Sequence, residues 1–100
     1  MFDFTRITGF QWDQGNDRKN IDKHGVSQSE AEQVFFNEPL LIVDDVKHLQ
    51  SEPRFHALGV TVDGRQLHIT FTLRDQETRI RIISARAMHR KERDRYEQET

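Results

Sequence analysis

The apolar positions change period along the chain. Ala31, Val34 and Phe35 fall at i, i+3 and i+4, one face of a helix, whereas beyond Pro39 apolar residues cluster or alternate as strands do. Ser27-Gln28-Ser29-Glu30 has the form of a capping box and opens that helix, and Asn37-Glu38-Pro39 ends it. An earlier helix is predicted from Asp13, a suitable N-cap, to about Lys23 or His24, with Gly25 as its left-handed stop. Ile21 is its one clear aliphatic residue, so tertiary contacts must hold it in place.

Leu40-Leu41-Ile42-Val43 reads as a buried strand, and a charged loop follows from Asp44 to about Pro53. Arg54–Val62 and Arg65–Arg74 flank Asp63-Gly64, a strong hairpin signal. Arg79–Arg86 forms a further strand after the turn Asp75-Gln76-Glu77-Thr78, and Met88 to Gln98 a last, highly charged helix. A two-residue turn at Asp63-Gly64 sets Leu58 opposite Ile69 and Val60 opposite Leu67. Pairing Arg74 with Arg79 sets Leu73 opposite Ile80 and Phe71 opposite Ile82. These aliphatic side chains then share the face that the helices should cover. The other face carries His68, Thr70, Thr72 and Arg74 beside Arg79, Arg81 and Ile83. Neighbouring arginines there repel one another unless an anion or an acidic partner neutralises them. The expected class is α+β.

At 100 residues, with 34% of them hydrophobic, the chain supports one domain with a thin core that gains from a partner. It has no cysteine, which excludes disulfides and thiolate metal sites. No run is apolar enough for a signal peptide or a membrane span, so no membrane contact and a cytoplasmic location are expected. The net charge of -2 hides an asymmetry. Between Arg79 and Arg95 seven basic residues face two acids, leaving the rest of the chain strongly acidic. A basic face for nucleic acid and a solvated helix of mixed charge are both compatible with that segment.

Three blocks of residues carry a family likeness. They are Trp12-Asp13 with Asn20 and Lys23-His24-Gly25-Val26; Glu52-x-Arg54 leading to Leu58-Gly59; and Arg81-Ile82-Ile83-Ser84-Ala85-Arg86 followed by Glu92-Arg93 and Tyr96. With Ala31, Phe35 and Pro39 between them, the chain resembles the BrnT family of type II toxins from Phe10 to Glu97. The resemblance implies a RelE-like fold: two N-terminal helices, an antiparallel sheet of about four strands and a C-terminal helix. It implies a toxin domain over residues 10–100 preceded by an extension over 1–9. It further implies an endoribonuclease that arrests growth. The implied partner is a ribbon-helix-helix antitoxin resembling BrnA, through which alone the toxin meets operator DNA. The chain departs from the family pattern at Asn16, where a lysine is common, and at Gln28, where an aromatic is common.

Cleavage of RNA needs a base for the 2′-hydroxyl, cations for the phosphorane and an acid for the leaving 5′-oxygen. No carboxylate–histidine spacing suggests a metal, and no cofactor is expected. His24 is the candidate acid–base residue. Its place at a helix C-terminus should favour the protonated form, although His24 and Lys23 would equally serve to neutralise the helix end. Lys23 could instead touch phosphate. Arg86 either binds phosphate through its planar fork or bridges to Glu92 or Glu52. Arg54 is the third catalytic candidate; its register sets it on the core face with Leu58 unless a bulge re-aims it, and an ion pair with Glu52 is the alternative. Arg74, Arg79, Arg81, Arg90 and Arg93 are the further candidates for RNA contact. His89, Glu92 and Tyr96 can share a helix face, with Tyr96 read as a packing anchor. His48, His56 and His68 read as structural, with His68 singled out only for lying on the arginine-bearing face.

Overall fold

The computed structural model describes residues 3–45 and 52–100, so His48 lies outside the described residues. These residues form five strands and three α-helices: β1 Gly9–Gln11, α1 Gln14–His24, α2 Gln28–Gln33, β2 Leu41–Asp44, β3 Phe55–Val60, β4 Gln66–Arg74, β5 Arg79–Ala87 and α3 Arg90–Glu99. Short 3-10 turns cover Phe4–Arg6 and Val34–Phe36. The sheet order is β1-β5-β4-β3-β2. Its pairs are antiparallel except that β1 runs parallel to β5, with Gly9 opposite Arg79 and Gln11 opposite Arg81. The expected four-stranded antiparallel sheet is therefore a five-stranded mixed one. Three residues, Gly9-Phe10-Gln11, are too few to show a strand period, which is why β1 left no signal.

The helix ends follow their local chemistry. Asp13 accepts the Gly15 N–H at the start of α1, and Gly25 at φ 64° closes it with its N–H on the carbonyls of Asn20 and Ile21. Ser27 and Glu30 form the capping box of α2. Both helices and the second 3-10 turn lie on one sheet face. There Val26, Ala31, Val34 and Phe35 pack with Ala57, Leu67, Ile69, Phe71, Ile80, Ile82 and Ala85. Phe35 meets Phe71 edge-on at 5.1 Å and Phe55 stacks on Phe71 at 5.4 Å. Trp12 joins the rim of this core and donates its indole N–H to Glu32. Phe4 and Phe10 also approach Phe35, so the N-terminal segment lies against the domain.

The hairpin register differs from expectation by one residue. β3 ends at Val60 and β4 begins at Gln66, so a five-residue loop replaces the two-residue turn, closed by the Thr61 N–H on the Arg65 carbonyl. Leu58 consequently faces His68, and Ile69 faces Ala57. A slip of one residue exchanges the two faces of a strand. Leu58 and Val60 therefore leave the helix-covered core and pack on the opposite face with Met88, Tyr96 and Leu41. This smaller cluster seats α3, and the Tyr96 hydroxyl donates to the Pro39 carbonyl. Between β4 and β5 the expected pairs hold from Arg74–Arg79 to Phe71–Ile82. β2 is a half-buried edge strand rather than a buried one.

Candidate functional site

A bulge decides where Arg86 points. Phe71 pairs with Ile82, but the next residue of β4, Thr70, pairs with Ser84, so Ile83 is an extra residue in β5. Were all the residues of β5 paired without the bulge, Arg86 would fall opposite Leu67 on the helix-covered face. With the bulge Arg86 stands opposite His68 on the other face. α1 fixes the same stretch from the side, because the buried Asn20 accepts the Ala85 N–H through Oδ1 at 3.1 Å.

Register now defines the whole of this second face. One row reads Leu41, Leu58, His68, Arg86 across β2 to β5; the next reads Val43, His56, Thr70, Ser84. α3 lies over one end, leaving a groove of about 510 Å³ lined by Val43, His56, Leu58, His68, Thr70 and Arg86, with Lys91, Glu92 and Arg95 from the helix. His56 and His68 are adjacent, with ring centroids 4.7 Å apart.

The polar groups of the groove form two linked sets. Arg86 grips Glu92 through both nitrogens of its fork, each at 2.8 Å. Glu92 also accepts the His89 N–H at the start of α3 and lies 3.5 Å from His68 Nε2. Burial alone would raise the Glu92 pKa, but the hydrogen bonds from Arg86 and His89 outweigh it and hold the carboxyl at about 2. Burial pushes His68 down to about 4, against the pull of Glu92, so its ring is neutral near pH 7. Its Nδ1 is buried without a hydrogen-bond partner. In the second set His56 holds Asp45 through Nε2 at 3.1 Å and Thr70 through Nδ1, also at 3.1 Å.

Arg54, by strand alternation, shares the His56 face, and its carbonyl accepts the Asp45 N–H at 2.9 Å. Its grouping with Leu58 holds, but that face is the groove side and not the main core. His24 is the last residue of α1. Its pKa is lowered, by burial first and then by Lys23, Arg86 and Lys19, which corrects the expectation of a protonated ring. Arg65 serves the helix end instead, donating to the carbonyls of Gly25 at 2.9 Å and His24 at 3.3 Å. Lys23 is exposed at the same end.

Arg74, Arg79 and Arg81 share the groove face as expected, and each has a carboxylate of this chain: Glu52 at 2.7 Å, Asp75 at 3.1 Å and Asp13 at 3.2 Å. Their mutual repulsion therefore needs no outside anion. Arg90 is exposed, and Arg93 donates to the Met88 carbonyl at 3.0 Å. Tyr96 packs as an anchor, whereas His89 contributes a backbone N–H. His56, Thr70, Asp45, Lys91 and Arg95 are members of the site that sequence reasoning did not bring together. The signal was the even numbering of His56, His68 and Thr70, readable only once the loop length is known. Among the described residues, no group of three or more His, Cys, Asp or Glu could hold a metal ion, and no helix is long and apolar enough to cross a membrane.

A family model described as the ribonuclease toxin BrnT of type II toxin–antitoxin systems matches residues 12–92. The 1.1 Å crystal structure of the Brucella abortus ribonuclease toxin BrnT superimposes with a TM-score of 0.63 at 18% identity, covering 83% of this chain and 99% of that one. No curated protein matches the sequence.

Proposed function

Because the chain belongs to the BrnT family of ribonuclease toxins of type II toxin–antitoxin systems, we propose that it is itself a metal-independent endoribonuclease centred on Arg86. The reading extends to a RelE-like toxin domain over residues 10–100, with 1–9 an extension packed against it, acting in the cytoplasm. Its substrate is RNA. Its inhibitor is a ribbon-helix-helix antitoxin resembling BrnA, and operator DNA is met only through that antitoxin.

The observation that carries the reading is the bulge that turns Arg86 out of the core into a groove with two histidines and a cationic rim. A guanidinium there offers two parallel N–H donors to the phosphate oxygens on which charge develops. In this state the same donors hold Glu92, whose two oxygens occupy the positions a phosphate would take. Substrate must therefore displace or share Glu92. The 2′-hydroxyl attacks phosphorus, giving a 2′,3′-cyclic phosphate and a 5′-hydroxyl. His24 and Arg54 flank the groove as candidates for proton transfer and phosphate contact. Lys23, Arg74, Arg79, Arg81, Arg90 and Arg93 contribute phosphate contacts along the strand.

The test is cleavage by Arg86→Ala and Arg86→Lys in excess EDTA, with unfolding and antitoxin affinity measured alongside. The alanine variant should lose on the order of a hundredfold in rate, typical of one preorganised donor. Lysine should recover little, since it restores the charge without the fork. Near-parental cleavage by both variants, or 5′-phosphate products, would overturn the assignment. The Arg86–Glu92 bridge favours one alternative: a module that binds antitoxin or nucleic acid and takes part in autoregulation without cleaving RNA. Failure of the parental protein to arrest growth on induction would select that alternative.

A further inference from the structure

Proton transfer at this groove requires a group that reaches substrate and can take up a proton near neutral pH. Three histidines lie in or beside it, and their surroundings separate them. His68 is 8% exposed, with Nε2 turned toward Glu92 and Nδ1 enclosed by protein. A ring so placed cannot present a nitrogen to RNA. His24 ends α1 and is not among the groove's lining residues. His56 lines the groove itself, with 27% of its side chain exposed.

The two nitrogens of His56 have different partners, which fixes their roles. Asp45, the more buried of the pair with a side chain 10% exposed, accepts from Nε2. Nε2 therefore carries the proton, and Nδ1 keeps its lone pair toward Thr70 Oγ1 at 3.1 Å. A threonine hydroxyl both donates and accepts and can rotate, so a substrate hydroxyl can take its place at Nδ1. The order carboxylate, imidazole, hydroxyl is the arrangement that orients a general base and then stabilises the imidazolium.

Taking the groove as the ribonuclease centre, we propose that His56 is its general base, accepting the 2′-hydroxyl proton at Nδ1, with Asp45 as the positioning residue that holds the ring. As the 2′-oxygen bonds to phosphorus its proton passes to Nδ1. The bond from phosphorus to the 5′-oxygen breaks, and that oxygen leaves as a hydroxyl with a proton drawn from water. The imidazolium then returns its proton to solvent. The charges facing His56 support this cycle. Asp45 beside β2 and Glu92 on α3 favour the imidazolium. Arg54 just before its strand, Arg86 on β5, and Lys91 and Arg95 on α3 favour release of the proton. His68, the nearest ring, stays neutral and adds no like charge.

The test compares parental, His56→Gln, Asp45→Asn and His24→Gln proteins on one RNA from pH 5 to 9, with binding measured on a strand carrying 2′-deoxy sugar at the cleavage position. His56→Gln should lower kcat by about a hundredfold or more, abolish the acidic limb of the pH profile and leave 2′-deoxy strand affinity unchanged. Asp45→Asn should retain that limb but move its midpoint to lower pH, because the imidazolium loses its carboxylate. Rates and profiles in His56→Gln equal to the parent, or loss of the acidic limb in His24→Gln instead, would overturn the proposal while leaving the ribonuclease reading intact. An unmoved limb in Asp45→Asn would do the same should His56→Gln fail to fold. A parental protein that cleaves no RNA would overturn both.

Discussion

Glu92 joins Arg86, His68 and the first turn of α3, and its effect on stability can be separated from that of its histidine neighbour. His68 is held neutral at about 4 against an ordinary 6.5. Above pH 6.5 the ring is neutral folded and unfolded, so its contribution is complete. Between 6.5 and 4 the unfolded chain binds a proton that the folded chain refuses, and stability falls by about 3 kcal/mol over that window. Glu92 behaves differently: its contribution is complete above its ordinary pKa of 4.5 and is lost as pH falls through about 2. His68→Gln should therefore flatten the fall in urea midpoint between pH 6.5 and 4 while leaving the loss below it. A midpoint that falls as steeply in the variant as in the parent would show that burial of His68 is not its cause. None of this was readable from the sequence. An isolated histidine carries no sign of whether its neighbours will be water, a carboxylate or another ring.

At the scale of elements, local chemistry was legible and register was not. Asp13, Gly25 and the Ser27–Glu30 box marked the helix ends because caps are satisfied within a few residues. The turn after Arg74 was placed in register, whereas the loop after Val60 was placed at Asp63-Gly64 but made too short, although it contains the stronger dipeptide signal. Thr61 explains the difference. Its backbone N–H reaches the Arg65 carbonyl and its hydroxyl accepts the Arg65 N–H, so the chain closes one residue earlier than Asp63-Gly64 suggests. That one step moved Leu58, His56 and Arg54 to the groove. Gly59, beside them on the core face, shows how closely the layers fit. A Cβ there would stand 2.7 Å from Val34 Cγ1 and 3.4 Å from the Val34 carbonyl. Gly59→Ala should destabilise the fold by about 1–3 kcal/mol, as overpacking of a well-filled core does. An unchanged denaturant midpoint would mean that the Val34 turn can retreat freely.

For the whole molecule, the basic segment over residues 79–95 proved to be two surfaces rather than one. In its strand part Arg79 and Arg81 are paired with Asp75 and Asp13 and Arg86 with the segment's own Glu92, and its helix part roofs the groove. Sequence composition showed the excess charge but could not show which acids would fold back upon it, since Asp13 is distant in the chain. A phosphate bound by Arg79 or Arg81 would have to exchange with Asp75 or Asp13. Replacing both arginines with Gln should nonetheless lower the slope of log affinity against log salt by roughly one to two phosphate contacts. A slope equal to the parent's in a filter-binding titration would assign the two arginines to the fold alone.

The extra residue in β5 has a consequence that concerns inheritance more than mechanism. Deletion of Ile83 would remove the bulge and leave a regular ladder, with Ala85 still opposite Ile69 and Arg86 still opposite His68. Straightening the strand with all its residues kept would do the opposite. Ala85 and Arg86 would trade faces, carrying a guanidinium into the space now filled beside Leu67. Between Ile82 and Arg86, then, the number of residues and the bulge can change only together.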